Sequence, residues 1–256
     1  LARLGTAYVK HHRQNDGDSL DETALLSFFV DKASGYSGDE RVYESRRKTG
    51  RDLAAMVLLD CSGSTSDQRP DGMPIWDLQR SVAHDVIAAL DELGDLVGAY
   101  GFRSFGRNDV RFLRVKDLGE RFGQQARARL HSLKPTGYTR LGAAIRHGTE
   151  LLKLKAQTGC QLLIVISDGL PYDVQYEKEY AEQDTQHALM EAERSGVGCV
   201  CLSIGSPQDH KALLRVWGLA GHASLDSPSD LQKMAAPLFA ASLRKASERS
   251  SWRAAA

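Results

Sequence analysis

Along this chain, short runs that are apolar throughout alternate with longer stretches in which apolar residues recur every three or four positions. Leu53 to Leu59, Leu96 to Phe102, Gln161 to Ser167 and Cys199 to Ile204 are of the first kind, as strands buried on both faces of a parallel sheet would be. From Ile75 to Leu93, the residues Leu78, Val82, Val86, Leu90 and Leu93 fall on one helical face. Leu141, Ala144, Ile145, Gly148, Leu151 and Leu152 do the same, and Tyr176 to Ser195 carries a thinner stripe at Tyr180, Ala188 and Ala192, ended by Gly196-Val197-Gly198. Helices are also predicted over Leu20 to Ala33, capped by Asp18 or Ser19, and over Gln124 to Leu133, His210 to Trp217 and Ser229 to Lys245. Val110 to Val115 follows the turn Gly106-Arg107-Asn108-Asp109 as a hairpin partner of the preceding strand, and a short strand is expected near His222 to Leu225.

This alternation predicts an α/β fold: a doubly wound, mostly parallel sheet with one antiparallel edge strand and helices on both faces. Residues 1–50 read as an N-terminal extension with one helix and a polar, partly flexible arm from Leu1 to Gly17. The main domain is expected over 51–246 and a flexible tail over 247–256. The basic run Arg46 to Arg51 reads as a solvated turn or as a partner-binding patch.

The chemistry gathers where apolar runs end. Leu53 to Leu59 runs into Asp60-Cys61-Ser62-Gly63-Ser64, a DxSxS pattern at the carboxyl end of a strand, where open α/β sheets bind ligands. Leu162 to Ser167 ends similarly in Asp168-Gly169, and Gly137-Tyr138-Thr139-Arg140 precedes a helical pattern. Carboxylates and hydroxyls are hard oxygen donors suited to Mg²⁺ or Mn²⁺ and unlike the His and Cys sets of zinc. The first loop alone is read equally well as helix capping, since Asp and Ser side chains commonly accept from free N–H groups. Thr139 and Asp168 turn the reading toward a metal site of Asp60, Ser62, Ser64, Thr139 and Asp168.

These three loops, in this order, resemble the von Willebrand factor A (VWA) family and its metal-ion-dependent adhesion site. The resemblance implies that Ser62, Ser64 and Thr139 ligate Mg²⁺ directly, that Asp60 and Asp168 act through bound waters, and that one coordination position takes a partner's carboxylate. Gly50-Arg51-Asp52-Leu53, Gly101-Phe102-Arg103-Ser104, Arg107-Asn108-Asp109-Val110-Arg111, the stretch Tyr138 to His147 and Asp168 to Asp173 resemble a narrower branch. That branch comprises the carboxyl-terminal VWA domains of nitric oxide reductase activation proteins and Rubisco activase accessory subunits. It implies an adaptor that couples a MoxR-type AAA+ ATPase hexamer to a metalloenzyme client such as Rubisco or nitric oxide reductase. Cys61-Ser62-Gly63 departs slightly from the spacers common there, with the donors retained. Arg103, Arg107 and Arg140 are candidates to flank the partner carboxylate, and Asp173 to shape the rim.

Composition narrows the setting. The 256 residues carry 33 basic and 33 acidic side chains, so no global field steers the chain to nucleic acid or to an anionic membrane. No apolar run reaches the roughly 18 residues of a membrane span. Cys61, Cys160, Cys199 and Cys201 lie in or beside buried runs without CxxC spacing and read as reduced, small hydrophobes. A cytoplasmic location is expected, and a start at Leu1 rather than Met leads us to expect more chain upstream.

An enzyme is the rival class. Haloacid-dehalogenase-type phosphatases also place an Asp nucleophile after a buried strand and use Mg²⁺, but they require a second Asp two residues on, where this chain has Ser62. Neither GxSxG nor GxxxxGK[ST] occurs. A VWA-like structural domain with an empty metal site is the third reading.

Overall fold

A computed structural model describes residues 6–69, 72–204, 210–218 and 220–254. They divide into two compact units, Gly5–Asp52 and a larger unit from Leu53 onward.

In the smaller unit, β1 (Thr6–Gln14) and β2 (Ser19–Leu20) both pair antiparallel with β3 (Tyr43–Arg51). The helix α1 (Glu22–Ala33) is capped by Asp21, whose carboxylate accepts from Thr23 N at 3.2 Å and Ala24 N at 3.1 Å and also meets His12 Nδ1 at 3.1 Å. The sequence expectation is corrected twice here. The described part of the polar arm is a strand, and the basic run Arg46 to Arg51 lies within β3 rather than in a turn. His11 to Gln14 and Glu44 to Arg51 are polar or glycine runs without hydrophobic alternation, so their pairing is not legible from the sequence.

The larger unit is a six-stranded sheet in the order β6-β5-β4-β7-β8-β9. Its strands are β4 (Leu53–Asp60), β5 (Leu96–Ser104), β6 (Val110–Lys116), β7 (Cys160–Ser167), β8 (Val197–Ile204) and β9 (Gly221–Leu225). All neighbours are parallel except β5 and β6, as the hairpin turn predicts. Every residue of β4 is buried, and alternation divides it between two cores. Leu53, Ala55, Val57 and Leu59 pack with Val82, Val86 and Leu90 of α2 (Ile75–Glu92), Leu130 of α3 (Gln124–Ser132) and Phe239 of α7 (Pro228–Ala254). Ala54, Met56 and Leu58 pack with Leu141, Ala144 and Ile145 of α4 (Leu141–Lys155), Leu189 of α5 (Lys178–Arg194) and Trp217 of α6 (His210–Trp217). The sheet is thus covered on both faces, as a parallel sheet requires.

Three details depart from the pattern reading. Tyr180 is 59% exposed, whereas Ala188 and Ala192 are buried as expected, and Ala181, Thr185 and Leu189 complete the buried face of α5. Gly196, at φ +85°, ends α5, but Gly198 is inside β8, where a Cβ would lie 2.9 Å from the backbone oxygen of Ser242. Close approach of α7 explains that glycine. Helix α7 itself runs to Ala254, past the expected end at Lys245. Among the described residues, no helix is long and apolar enough to cross a membrane. Among the described residues, none of the four cysteines forms a disulfide.

Glycine also sets how closely α4 meets α5. A Cβ on Gly142 would lie 2.0 Å from Asp184 Oδ2 and 3.0 Å from the Tyr176 hydroxyl, two groups already bonded to each other at 2.6 Å. Gly142→Ala is expected to lower stability by about 1–3 kcal/mol, the usual cost of overpacking. A thermal melt that matches the wild type would show that Asp184 yields freely.

Candidate metal centre

The candidate site sits at the carboxyl edge of the two central strands. Asp60, the last residue of β4, has no exposed surface. Its Oδ1 accepts from Ser62 N at 2.9 Å, its Oδ2 accepts from Ser167 Oγ at 2.8 Å, and the Thr139 hydroxyl lies 3.1 Å from both oxygens. Ser62 Oγ and Ser64 Oγ are 3.0 Å apart. Asp168 follows β7 directly, so parallel pairing of β4 with β7 brings the two acids together. Ser62, Ser64, Thr139 and Asp168 line a cleft of about 410 Å³, together with Gly137, Tyr138, Gly169 and Tyr172. Asp60 supports the cleft from below. All five residues named from sequence therefore converge.

Backbone hydrogen bonds hold the loops in place. Cys61 N donates to Phe102 O at 2.9 Å, Gly63 N to Gly137 O at 2.9 Å, and Thr136 N to Cys61 O at 2.8 Å. Thr139 and Tyr172 exchange both of their backbone bonds, at 2.8 and 3.0 Å. Gly137 adopts φ +79°, and a Cβ there would lie 2.7 Å from Ser104 O, so the turn that delivers Thr139 requires glycine.

Capping and metal binding now separate. Ser62 precedes the 3₁₀ turn Gly63–Ser66 without making a side-chain cap bond, and α4 starts at Arg140 without one. The hydroxyls of Ser62 and Thr139 face Ser64 and Asp60 instead. Burial, followed by the negative charge of Asp168, pushes Asp60 up to about 7, against the hydrogen bonds that favour its carboxylate. Burial also raises Asp168, partly offset by the Ser64 hydroxyl. Among the described residues, no Lys, Arg or His forms an ion pair with either acid. A fully buried carboxylate and a half-buried one beside it are unfavourable as a dianion without a cation. Three hydroxyls and two carboxylates form a hard donor set that fits Mg²⁺ or Mn²⁺. Among the described residues, no three His, Cys, Asp or Glu side chains converge as a softer metal would demand.

The four residues proposed to face a partner divide into two pairs. Arg107 is exposed and Arg103 is half-buried, the latter donating to Lys134 O at 3.4 Å. Arg140 and Asp173 are interior, which corrects the expectations that Arg140 flanks a partner carboxylate and that Asp173 shapes the rim. Asp173 has no exposed surface and accepts from Val174 N at 2.7 Å, Gly106 N at 2.9 Å and Arg140 Nε at 3.0 Å. Arg140 also donates to Val174 O at 3.0 Å and lies over the Tyr176 ring, 4.5 Å from its centroid. The pair ties together the loops after β5, before α4 and after β7. A short polar residue after Pro171-Tyr172 looks like any surface acid in sequence, because its partners lie 33 and 67 positions away.

Ser167 is the functional residue that the sequence reading left out. Its signal was a hydroxyl ending an apolar strand directly before Asp168. Tyr138 and Tyr172, half exposed and edge to face at 5.8 Å, also flank the cleft.

The sequence is similar to Protein NorD of Stutzerimonas stutzeri, 36% identical over 193 residues, which is 75% of this chain and 31% of the relative. Protein NorD of Brucella suis is 34% identical over 223 residues, 86% of this chain and 34% of the relative. The chain thus spans about a third of the length of these curated relatives. No family model matches it. In fold it is similar to the VWA domain of SpRpn10, with a TM-score of 0.53 at 18% identity over 70% of this chain and 93% of that one. BatB of Bacteroides thetaiotaomicron gives 0.54 at 18% identity over 75% and 99%. The chain is thus similar to NorD over most of its own length and has a VWA-like fold. In this VWA-like fold, the DxSxS loop and the loops bearing Thr139 and Asp168 occupy one edge of the sheet, and the antiparallel strand β6 lies to one side of them.

Two outcomes follow from the buried charges. Arg140→Ala leaves Asp173 charged and unpaired in the interior and is expected to cost roughly 3–5 kcal/mol, read by denaturant unfolding. A loss below about 1 kcal/mol would mean that water replaces the guanidinium. Because Asp60 is raised above its unfolded value, its contribution to stability is full in acid and is lost as pH rises through about 7. Metal-free protein should therefore show a stability decline across that range that Asp60→Asn removes. An identical decline in both proteins would assign the titration to other groups.

Proposed function

We propose that this domain is a metal-dependent protein-binding adaptor rather than an enzyme. The observation that carries the reading is the convergence of Ser62, Ser64, Thr139 and Asp168 on one cleft above the buried Asp60, with no basic side chain among the described residues to neutralise the two acids. Ser62, Ser64 and Thr139 would hold Mg²⁺ or Mn²⁺ directly, and Asp60 and Asp168 through bound waters. The ion would supply an electrophilic position for a carboxylate from another protein.

Similarity to NorD over a third of that protein's length supports an accessory role, in which a MoxR-type AAA+ ATPase hexamer supplies the force and a metalloenzyme such as nitric oxide reductase or Rubisco is the client. Cytoplasmic location follows from that assignment. The phosphatase reading gains no observation. Asp60 has no exposed surface and each of its oxygens already accepts hydrogen bonds, so it is poorly placed to attack a phosphoryl group.

Thermal unfolding against Mg²⁺ and Mn²⁺, with Ca²⁺ alongside, tests the site. An ion at about ten times its dissociation constant adds about 1.4 kcal/mol, or roughly 3–5 °C for a chain of this size. Ser62→Ala and Thr139→Ala should abolish that shift. Wild-type protein whose Tm ignores all three ions would leave the five residues as turn and capping groups, and the adaptor reading would lose its basis.

A further inference from the structure

The charge that cancels over the whole chain is strongly segregated in space. Between Arg103 and Lys134 there are nine Lys or Arg against three Asp or Glu, a local balance of +6 in a chain of zero net charge. This stretch comprises the end of β5, the edge strand β6 and helix α3, all on the β6 side of the candidate metal cleft. From Pro171 to Arg194, on the α5 side, seven Asp or Glu stand against two Lys or Arg, but Asp173, Glu182, Asp184, Glu191 and Glu193 are paired with Arg140, Arg215, Arg146 and Lys245. The exposed Glu177 and Glu179 make no ion pair among the described residues, so the cleft lies between a basic flank and these two acids.

The basic flank reaches the cleft wall. Phe105 is 40% exposed, and its ring sits against Gly137, where an added Cβ would come within 3.0 Å of it. Arg103 and Arg111 both lie over that ring, 5.9 and 4.9 Å from its centroid. Ser104 and Tyr138 exchange backbone hydrogen bonds at 2.8 Å, which fixes the flank to the loop that carries Thr139. Arg111 is paired with Asp109, but Arg107, Arg114 and Lys134 are exposed and make no ion pair among the described residues. On the other side, the groove of about 1020 Å³ that shares Leu170 and Tyr172 with the cleft is lined by Glu177, Glu179 and Glu182 together with Lys178 and Arg215, the last paired with Glu182.

We infer that the partner presents an acidic segment rather than an isolated carboxylate. One of its acids would enter the metal position, and neighbouring acids would lie along Arg107, Arg114 and Lys134. This rests on the metal-site reading and adds to it a direction and a partner chemistry. Unpaired surface arginines beside an ion that has captured one carboxylate favour further negative charge on that side. The acidic α5 flank repels it on the other. The segment would therefore leave the cleft toward β6 and not toward α5.

The test uses two labelled peptides of equal length, a poly-glutamate and a poly-serine with a single central glutamate, titrated with the whole chain in Mg²⁺ and in chelator. In Mg²⁺ the poly-glutamate should bind about tenfold or more tightly than the single-glutamate peptide, and added salt should reduce the difference. Arg107→Glu with Arg114→Glu, both at exposed positions, should bring the two peptides to similar affinity without removing the Mg²⁺ dependence. Ser62→Ala should remove the Mg²⁺ dependence of both peptides and leave the arginine-dependent difference. Equal binding of the two peptides to wild type, or charge reversals without effect, would overturn the acidic-segment proposal while leaving the metal reading intact. An arginine-dependent preference with no response to Mg²⁺ or to Ser62→Ala would retain the flank and refute the metal reading. Stronger binding of a DNA duplex or of phosphatidylserine vesicles through the same arginines would overturn the assignment of an acidic protein.

Discussion

Two carboxylates brought together at the edge of a closed sheet set the terms for everything around them. Asp60 ends a strand buried on both faces, and β7, its parallel neighbour, ends one residue before Asp168. Once those strands pair, the acids cannot separate, and full burial of Asp60 with partial burial of Asp168 makes their combined charge costly. The backbone amide of Ser62 and the hydroxyls of Ser167 and Thr139 soften that cost without cancelling it. They supply dipoles, and the missing element is positive charge. A hard cation is the addition that the donor chemistry accepts.

The fold was legible where burial imposes a period. The four apolar runs became β4, β5, β7 and β8 because a strand covered on both faces leaves a continuous hydrophobic signal. The edge strand β6 was found through its turn, and α2 and α4 through their stripes. The N-terminal sheet was not legible, since His11 to Gln14 and Glu44 to Arg51 carry no hydrophobic alternation. Tyr180 misled the reading of α5 because an aromatic at helical spacing counts as apolar whichever way it points, and here it faces outward.

The site was legible to the extent that its residues end strands. Asp60, Ser62, Ser64, Thr139 and Asp168 each stand next to an apolar run or a helix start, so their roles could be read locally. Arg140 and Asp173 could not, because an ion pair closed across 33 positions has no local signature. Their burial changes what they do. A rim residue would face solvent, whereas this pair holds together the three loops around the cleft.

The same loops explain how the donors can converge independently of any ion. The bonds from Cys61 to Phe102, from Gly63 to Gly137 and between Thr139 and Tyr172 are all between backbone groups, and Gly137 is held in a conformation few other residues accept. Geometry of this kind is set by folding. An ion entering such a site would have little to rearrange, and its affinity would follow chiefly from charge: the two acids beneath it, the arginines on one flank and the glutamates on the other. Position and electrostatics are then controlled by different residues, the first by the backbone bridges and the Arg140–Asp173 pair, the second by surface side chains that the fold does not need. If the cleft takes a metal and a partner as proposed, substitutions on β6 or α5 would change partner preference while the loops of the cleft stay as they are.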